Sequence, residues 1–190
     1  MGSLGFAIRS AVAGHQVTVF EANSYPGGKL AQIETNGFRF DAGPSLFTMP
    51  HLVDELFTLA GKNPRDYFSY ERLPEICRYF WEDGTRLKTN AASAETAAAI
   101  ASKLGESEEN VARFLREIGE NYHIISELFL DNSLHSLSTW TGRKALKGYL
   151  NIPRLGLFNT MHRSHAKRFK NPKTVQLFDR YATYNGSDPY

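Results

Sequence analysis

Residues 17–29 read VTVFEANSYPGGK. A short, β-branched and nearly all-apolar run, Val17 to Phe20, ends on Glu21. A loop follows, then Pro26, Gly27, Gly28 and Lys29. Such a run suits a parallel strand covered on both faces. Just before it, residues 4–14 place Leu4, Ile8 and either Ala11 or Val12 at spacings of three and four, and Gly14 is a suitable stop. Helix, two-residue link and strand compose the second half of a βαβ unit.

An acid at the end of a second parallel strand has a physical use. In a Rossmann unit it takes the ribose hydroxyls of a dinucleotide, while a glycine-rich turn brings the pyrophosphate to a helix N-terminus. The turn precedes the acid by about 20 residues. Counting back 18 from Glu21 reaches Ser3, which then fills the slot of the third glycine in G-x-G-x-x-G. On this reading the first strand and the first two glycines lie before Met1, and the sequence begins inside the motif. The chain alone is then expected to hold such a ligand poorly. Taken by itself Glu21 is a weak signal, because a carboxylate after a strand is more often a solvated edge. The residues downstream change that weighting.

Asn36-Gly37, between two extended runs in 31–43, is a strong hairpin signal. A helix is expected over 49–60, with Leu52, Val53, Leu56 and Phe57 on one face. A second hairpin is expected over 78–89, turning at Asp83-Gly84. Ser93 is placed to cap a helix running to Ser102. A longer helix starts near Ser107 and carries the stripe Val111, Phe114, Leu115, Ile118, Tyr122 and Ile125. A last helix is expected over 171–183, with Pro172 in its first turn.

The composition is globular, 42% hydrophobic and 22% charged over 190 residues. The single cysteine, Cys77, cannot close an intrachain disulfide, which fits a reducing compartment. No apolar run approaches ~20 residues, the length a membrane-spanning helix needs. The net charge of +2 conceals an asymmetry. Residues 1–131 carry 12 Lys/Arg against 18 Asp/Glu, a balance of −6; residues 132–178 carry nine Lys/Arg, three His and no acid. A basic block interleaved with apolar residues points to an anionic partner.

Residues 17–50 resemble the N-terminal signature of the flavin-dependent carotenoid desaturases, within the phytoene desaturase and amine oxidase superfamily. The matching pieces are Glu21, Pro26-Gly27-Gly28-Lys29, the Asn36-Gly37 turn and Phe40-Asp41-Ala42-Gly43-Pro44. Their order and spacing make the likeness specific, where a lone P-G-G is not. Residues 77–85, 150–157 and 175–190 extend it over essentially the whole chain. They look most like the branch that includes 1-hydroxycarotenoid 3,4-desaturases. Such enzymes are much longer, and the likeness covers roughly their first two fifths.

The resemblance implies an α/β fold, α+β overall. It implies a partial Rossmann-type FAD-binding domain lacking its first strand over 1–90, and an inserted, mainly helical substrate and membrane subdomain over 91–190. It implies FAD, with Ser3, Glu21, Gly27, Gly28, Lys29, Gly43 and Pro44 as the cofactor-binding residues. Asp41 to Ser45 are expected at the return into the FAD domain. Residue 29 is usually Arg in the superfamily. Lys keeps the charge near the pyrophosphate but loses the planar fork.

The implied reaction removes two hydrogens from adjacent carbons of a polyene, and the flavin carries the difficult step. No catalytic base is assigned and no metal-ligand spacing is present. His123, beside Tyr122, reads as a packing histidine. A phytoene desaturase is the alternative within the class; a non-catalytic isoprenoid-binding protein of the same fold is the alternative outside it. A carotenoid dissolved in membrane gives the segment 132–178 a use. Arg143, Lys144, Lys147, Arg154 and Arg163, among Leu146, Tyr149, Leu150, Leu157 and Phe158, suit a surface lying in anionic headgroups. The expected location is cytoplasmic, peripheral on the inner face of the cell membrane. No nucleic-acid module is visible, and the electron acceptor stays open.

Overall fold

The structure is a computed structural model. It describes residues 2–44, 46–130, 132–156 and 159–190, without the side chains of Leu128, Phe129, Lys144 and Arg154. Ser45, Leu157 and Phe158, and the side chains of Lys144 and Arg154, thus lie outside the described residues. The chain forms two compact units, one ending at Glu71 and the other running from Arg72 to Tyr190.

The first unit holds helix α1 (Gly2–Val12), strands β1 (Gln32–Thr35) and β2 (Phe38–Asp41), and helix α2 (Pro50–Leu59). The strands pair antiparallel from Gln32↔Asp41 to Thr35↔Phe38. Asn36 and Gly37 both have positive φ, 50° and 79°, as the tight turn between them demands. The ladder continues one step beyond the strands, where Ala42 N–H donates to Ala31 O at 2.9 Å. Pro50 opens α2, where its missing N–H costs nothing. Arg9 on α1 donates to Glu55 on α2 at 2.7 Å. Phe57 of α2 packs on Tyr67 and Phe68, which follow the helix, with ring centres 5.0 and 5.4 Å apart. Asp54 accepts from Tyr70 Oη at 2.7 Å and from Arg65.

The strand expected over Val17–Phe20 does not form. A strand exists by exchanging N–H and C=O with a neighbour, and among the described residues of this unit only β1 and β2 pair. Phe20 is 91% exposed, and no described residue of this unit is buried.

The second unit contains the core. Strands β3 (Glu75–Phe80) and β4 (Arg86–Asn90) form the second hairpin, turning at Asp83-Gly84, where Thr85 N–H donates to Asp83 Oδ1 at 3.1 Å. On β4 the alternation points Leu87 and Thr89 inward. Helices α3 (Ser93–Leu104) and α4 (Glu108–Phe129) pack over that face and bring Ala97, Ile100, Leu104, Val111 and Phe114 to it. Beyond α5 (Leu137–Thr141), α6 (Arg143–Leu150) and α7 (Met161–Arg168), helix α8 (Pro172–Asp179) closes the core with Val175, Leu177 and Phe178. The hairpin β3–β4 thus belongs to the second unit, because its buried side chains are shared with α3.

Ser93 is not the cap of α3. Ala92 holds that position without a side-chain bond, and Thr96 Oγ1 instead accepts from Asn90 N–H at 2.8 Å and donates to Asn90 O at 3.0 Å. Ser107 caps α4, accepting from Asn110 N–H at 3.3 Å. Only the first half of the α4 stripe enters the core; Ile118, Tyr122 and Ile125 stay exposed. His123 is exposed with them, and its ring meets the edge of Tyr122. The last helix is shorter than its pattern suggests. It ends at Asp179 and tightens into a 3₁₀ turn, Arg180–Asn185. The described residues therefore make a mixed structure of helices and two small antiparallel sheets.

Candidate functional site

The P-G-G-K loop and the F-D-A-G-P segment meet across the open end of the first hairpin. A Cβ built on Gly43 would stand 1.8 Å from Lys29 O and 2.9 Å from Lys29 C. No side chain fits there, so glycine is required for the two segments to touch. The close approach at Gly43 is therefore chain against chain, and Gly43 acts by shaping the site. Gly27 is similar: its φ is 118° and a Cβ would lie 2.8 Å from Leu30 O. Gly28 differs. Its φ is 62° and nothing lies within 4 Å of its Cβ direction, so its backbone is open to an incoming group.

Beside this junction is a cleft of about 490 Å³, bordered by Tyr25, Pro26, Gly43 and Pro44 with Arg39 and Asp41 on β2. Arg39 and Asp41 approach to 3.7 Å, both solvent-exposed. The structure thus gathers Pro26, Gly43 and Pro44 around one opening, with Gly27 and the Lys29 carbonyl in the adjoining backbone. The Lys29 side chain is exposed, as is Ser3 in the first turn of α1. Neither Ser3 nor Glu21 borders the cleft.

Glu21 is solvent-exposed. Its Oε1 accepts from the backbone N–H of Asn23 at 2.9 Å and from Asn23 Nδ2 at 3.0 Å. The Asn23 backbone bond holds the carboxyl below the ordinary glutamate range. It is thus a carboxylate at neutral pH, and both Asn23 bonds leave Oε2 open to further donors.

The basic block of the second unit is less uniform than its sequence implies. Arg168 forks onto Glu117 at 2.6 and 2.9 Å, Lys147 lies 3.5 Å from Glu127, and Lys173 pairs with Asp83. Acids from earlier in the chain have moved against it. The exposed basic residues include Arg143 on α6, Arg163 and Lys167 on α7, and Lys170; on α5 and α6, Leu137 is 78% and Leu150 74% exposed, and Leu146 is exposed as well. No helix of the described residues is long and apolar enough to cross a membrane. No group of three or more potential ligands among the described residues could hold a metal ion.

One constellation escaped the sequence reading. Asp179 is buried with both its carboxylate oxygens on histidines, His162 and His165. The available signal was the i, i+3 spacing of the two histidines, which places them on one helix face.

A sequence profile of the family described as flavin containing amine oxidoreductase matches residues 7–171. The whole chain aligns with a 1-hydroxycarotenoid 3,4-desaturase of Flavobacterium sp. (strain P99-3) at 45% identity, covering 38% of that protein. It aligns at 36% identity with a hydroxyneurosporene desaturase of Rhodobacter capsulatus, again over 38% of the relative. With a 4,4'-diaponeurosporene oxygenase of Staphylococcus aureus (strain USA300) the identity is 33%, over 38% of that protein. The chain therefore spans about two fifths of the length of these relatives.

Proposed function

Because this chain belongs to the flavin-containing amine oxidoreductase family, we propose that it is part of an FAD-dependent carotenoid desaturase. The favoured reaction introduces a carbon–carbon double bond at the 3,4 position of a hydroxylated carotenoid. The single observation that carries this is the 45% identity, along the whole chain, to a protein with that activity. The supporting geometry is the junction of Gly43 with Lys29, which only glycine permits.

The residues present fit FAD. Glu21 is a carboxylate whose Oε2 can accept from ribose hydroxyls. The open backbone at Gly28 allows close approach, and Lys29 offers an ammonium to the pyrophosphate. Ser3 is small enough to sit where a phosphate turn enters α1. Gly27, Gly43 and Pro44 hold the loop and the return segment in place. When bound, FAD supplies the two-electron oxidation that desaturation requires. In the complete protein the first part of this chain would join a Rossmann-type FAD domain, and residues 91–190 a helical substrate and membrane subdomain.

The second unit has features of a peripheral membrane surface. Leu137, Leu146 and Leu150 are exposed alongside Arg143, and each basic group near an anionic surface contributes ~1 kcal/mol. The partner would be an anionic leaflet carrying the dissolved carotenoid, on the inner face of the cell membrane. Flotation with anionic and neutral liposomes tests this: anionic vesicles should carry the protein up, and equal weak binding to both would refute it. The reaction is tested by supplying the full-length protein with a panel of hydroxylated and unmodified carotenoids and identifying products by mass spectrometry. A product two hydrogens lighter is expected from the hydroxylated substrates. Flavin-loaded protein that changes none of them would refute the reading.

A further inference from the structure

Asp179, the last residue of α8, is buried against α7, and each of its oxygens meets a different imidazole. Oδ1 lies 2.6 Å from His165 Nδ1 and Oδ2 lies 2.7 Å from His162 Nδ1. A carboxylate only accepts, so both rings donate through Nδ1 and each keeps Nε2 as its remaining polar atom. His165 is itself buried, edge-on to Phe114 at 5.5 Å and 5.8 Å from Phe178. Its part is to hold the carboxylate.

His162 is placed differently. Its side chain is 36% exposed, and Nε2 is the ring nitrogen that Asp179 does not engage. Its ring lies 4.4 Å from that of Tyr190. It borders a cavity of about 490 Å³ whose walls mix the apolar Phe169, Pro172 and Val175 with Lys170, Lys173 and Gln176. Burying a carboxylate is costly unless it is paired. Here the pairing fixes the tautomer and ring direction of a part-exposed histidine at the edge of that cavity.

We propose that this cavity receives the hydroxyl-bearing end of an isoprenoid substrate. His162 Nε2 bonds the hydroxyl, and Phe169, Pro172 and Val175 cover the adjoining carbon chain. The assignment rests on the carotenoid reading above and gives it a specificity residue. A hydroxyl both donates and accepts, so it satisfies Nε2 whether the ring is neutral or protonated. A plain hydrocarbon end would desolvate Nε2 and leave it without a partner, which is how a polar site rejects an analogue lacking the hydroxyl. Asp179 and His165 are positioning residues, acting through His162.

The test is titration of the chain with a short tertiary isoprenoid alcohol and with the hydrocarbon of the same skeleton. Nitrogen NMR of the histidine rings reports binding. The alcohol should shift His162 Nε2 saturably and bind at least ~10-fold more tightly than the hydrocarbon, a difference of about 1.4 kcal/mol. His162→Phe, which keeps an aromatic ring against Tyr190, should abolish the preference, and His162→Gln should restore part of it. Equal affinity of the wild-type chain for the two probes overturns the proposal, and so does an undiminished preference in His162→Phe. Should His162→Phe not fold, the wild-type comparison decides alone. A failure of the desaturase reading shows separately, as no dehydrogenated product from the full-length protein, and leaves the ring-nitrogen result standing.

Discussion

Replacing Gly43 by alanine tests the geometry of the candidate site most sharply. The new Cβ would stand 1.8 Å from Lys29 O, about 1.2 Å inside the 3.0 Å limit that real Cβ atoms respect. The obstructing atom is backbone, so no rotamer change relieves the clash. Residues 42–44 must withdraw from Lys29–Leu30. That movement breaks the bond from Ala42 N–H to Ala31 O and loosens the pair Gln32↔Asp41 at the end of the ladder. Overpacking of this kind costs about 1–3 kcal/mol, and the lost hydrogen bond about 1 kcal/mol more. A loss of ~2–4 kcal/mol is therefore expected in urea denaturation followed by tyrosine fluorescence, with exchange broadening of the Gln32 and Asp41 amides. Gly28→Ala is the control. Its Cβ meets nothing, and only the left-handed backbone is penalised, by ~1–2 kcal/mol. The reasoning is refuted if Gly43→Ala unfolds within ~0.5 kcal/mol of wild type, or if Gly28→Ala is the more damaging of the two.

Other outcomes follow from the same structure. Ile100→Ala removes a fully buried side chain from the centre of the second unit and should cost ~2–5 kcal/mol in denaturant melts. Asp179→Ala strips two histidines of their acceptor and should cost about 3 kcal/mol, with both ring Nδ1 protons becoming exchangeable by NMR. Asp83 is held at about 2, chiefly by Lys173. A carboxyl depressed on folding stabilises above its unfolded value of about 3.9, and that stability is lost as pH falls toward the folded value. Carbon NMR should show Asp83 titrating near there in the wild type and higher in Lys173→Ala, yet still below the ordinary value because the bonds from Thr85 remain. Glu21→Gln should weaken FAD binding by the full-length protein ~10-fold in flavin-fluorescence titrations, through loss of a charged acceptor. In the wild type, with the Glu21 carboxyl below its ordinary range, binding should persist as pH falls through about 4.3 and weaken only beneath it.

The hairpins were legible because their turns are decided locally. Asn36-Gly37 and Asp83-Gly84 tolerate positive φ, and the flanking alternation fixes the register. The start of α4 near Ser107 was legible from its apolar stripe, whereas the cap expected of Ser93 was not, because Thr96 takes the bonds to Asn90. Val17–Phe20 was not, because a parallel strand is defined by its neighbours, and local composition carries no information about whether they are present. The P-G-G-K and F-D-A-G-P segments were readable as a pair, yet the reason for Gly43 was not. Its constraint is a contact with Lys29, visible only once the hairpin brings the two together. The basic block misled for the same cause: Arg168 and Lys173 find Glu117 and Asp83 across the fold. Asp179 joins His162 and His165 only because α7 and α8 pack side by side.

The most direct test is anaerobic mixing of the purified full-length protein with a hydroxylated carotenoid while flavin absorbance is recorded. The account predicts that FAD co-purifies, that its oxidised absorbance bleaches on mixing, and that a carotenoid with one further double bond forms in equal amount. Protein that carries no flavin, or flavin that stays oxidised while the carotenoid is bound, would contradict it.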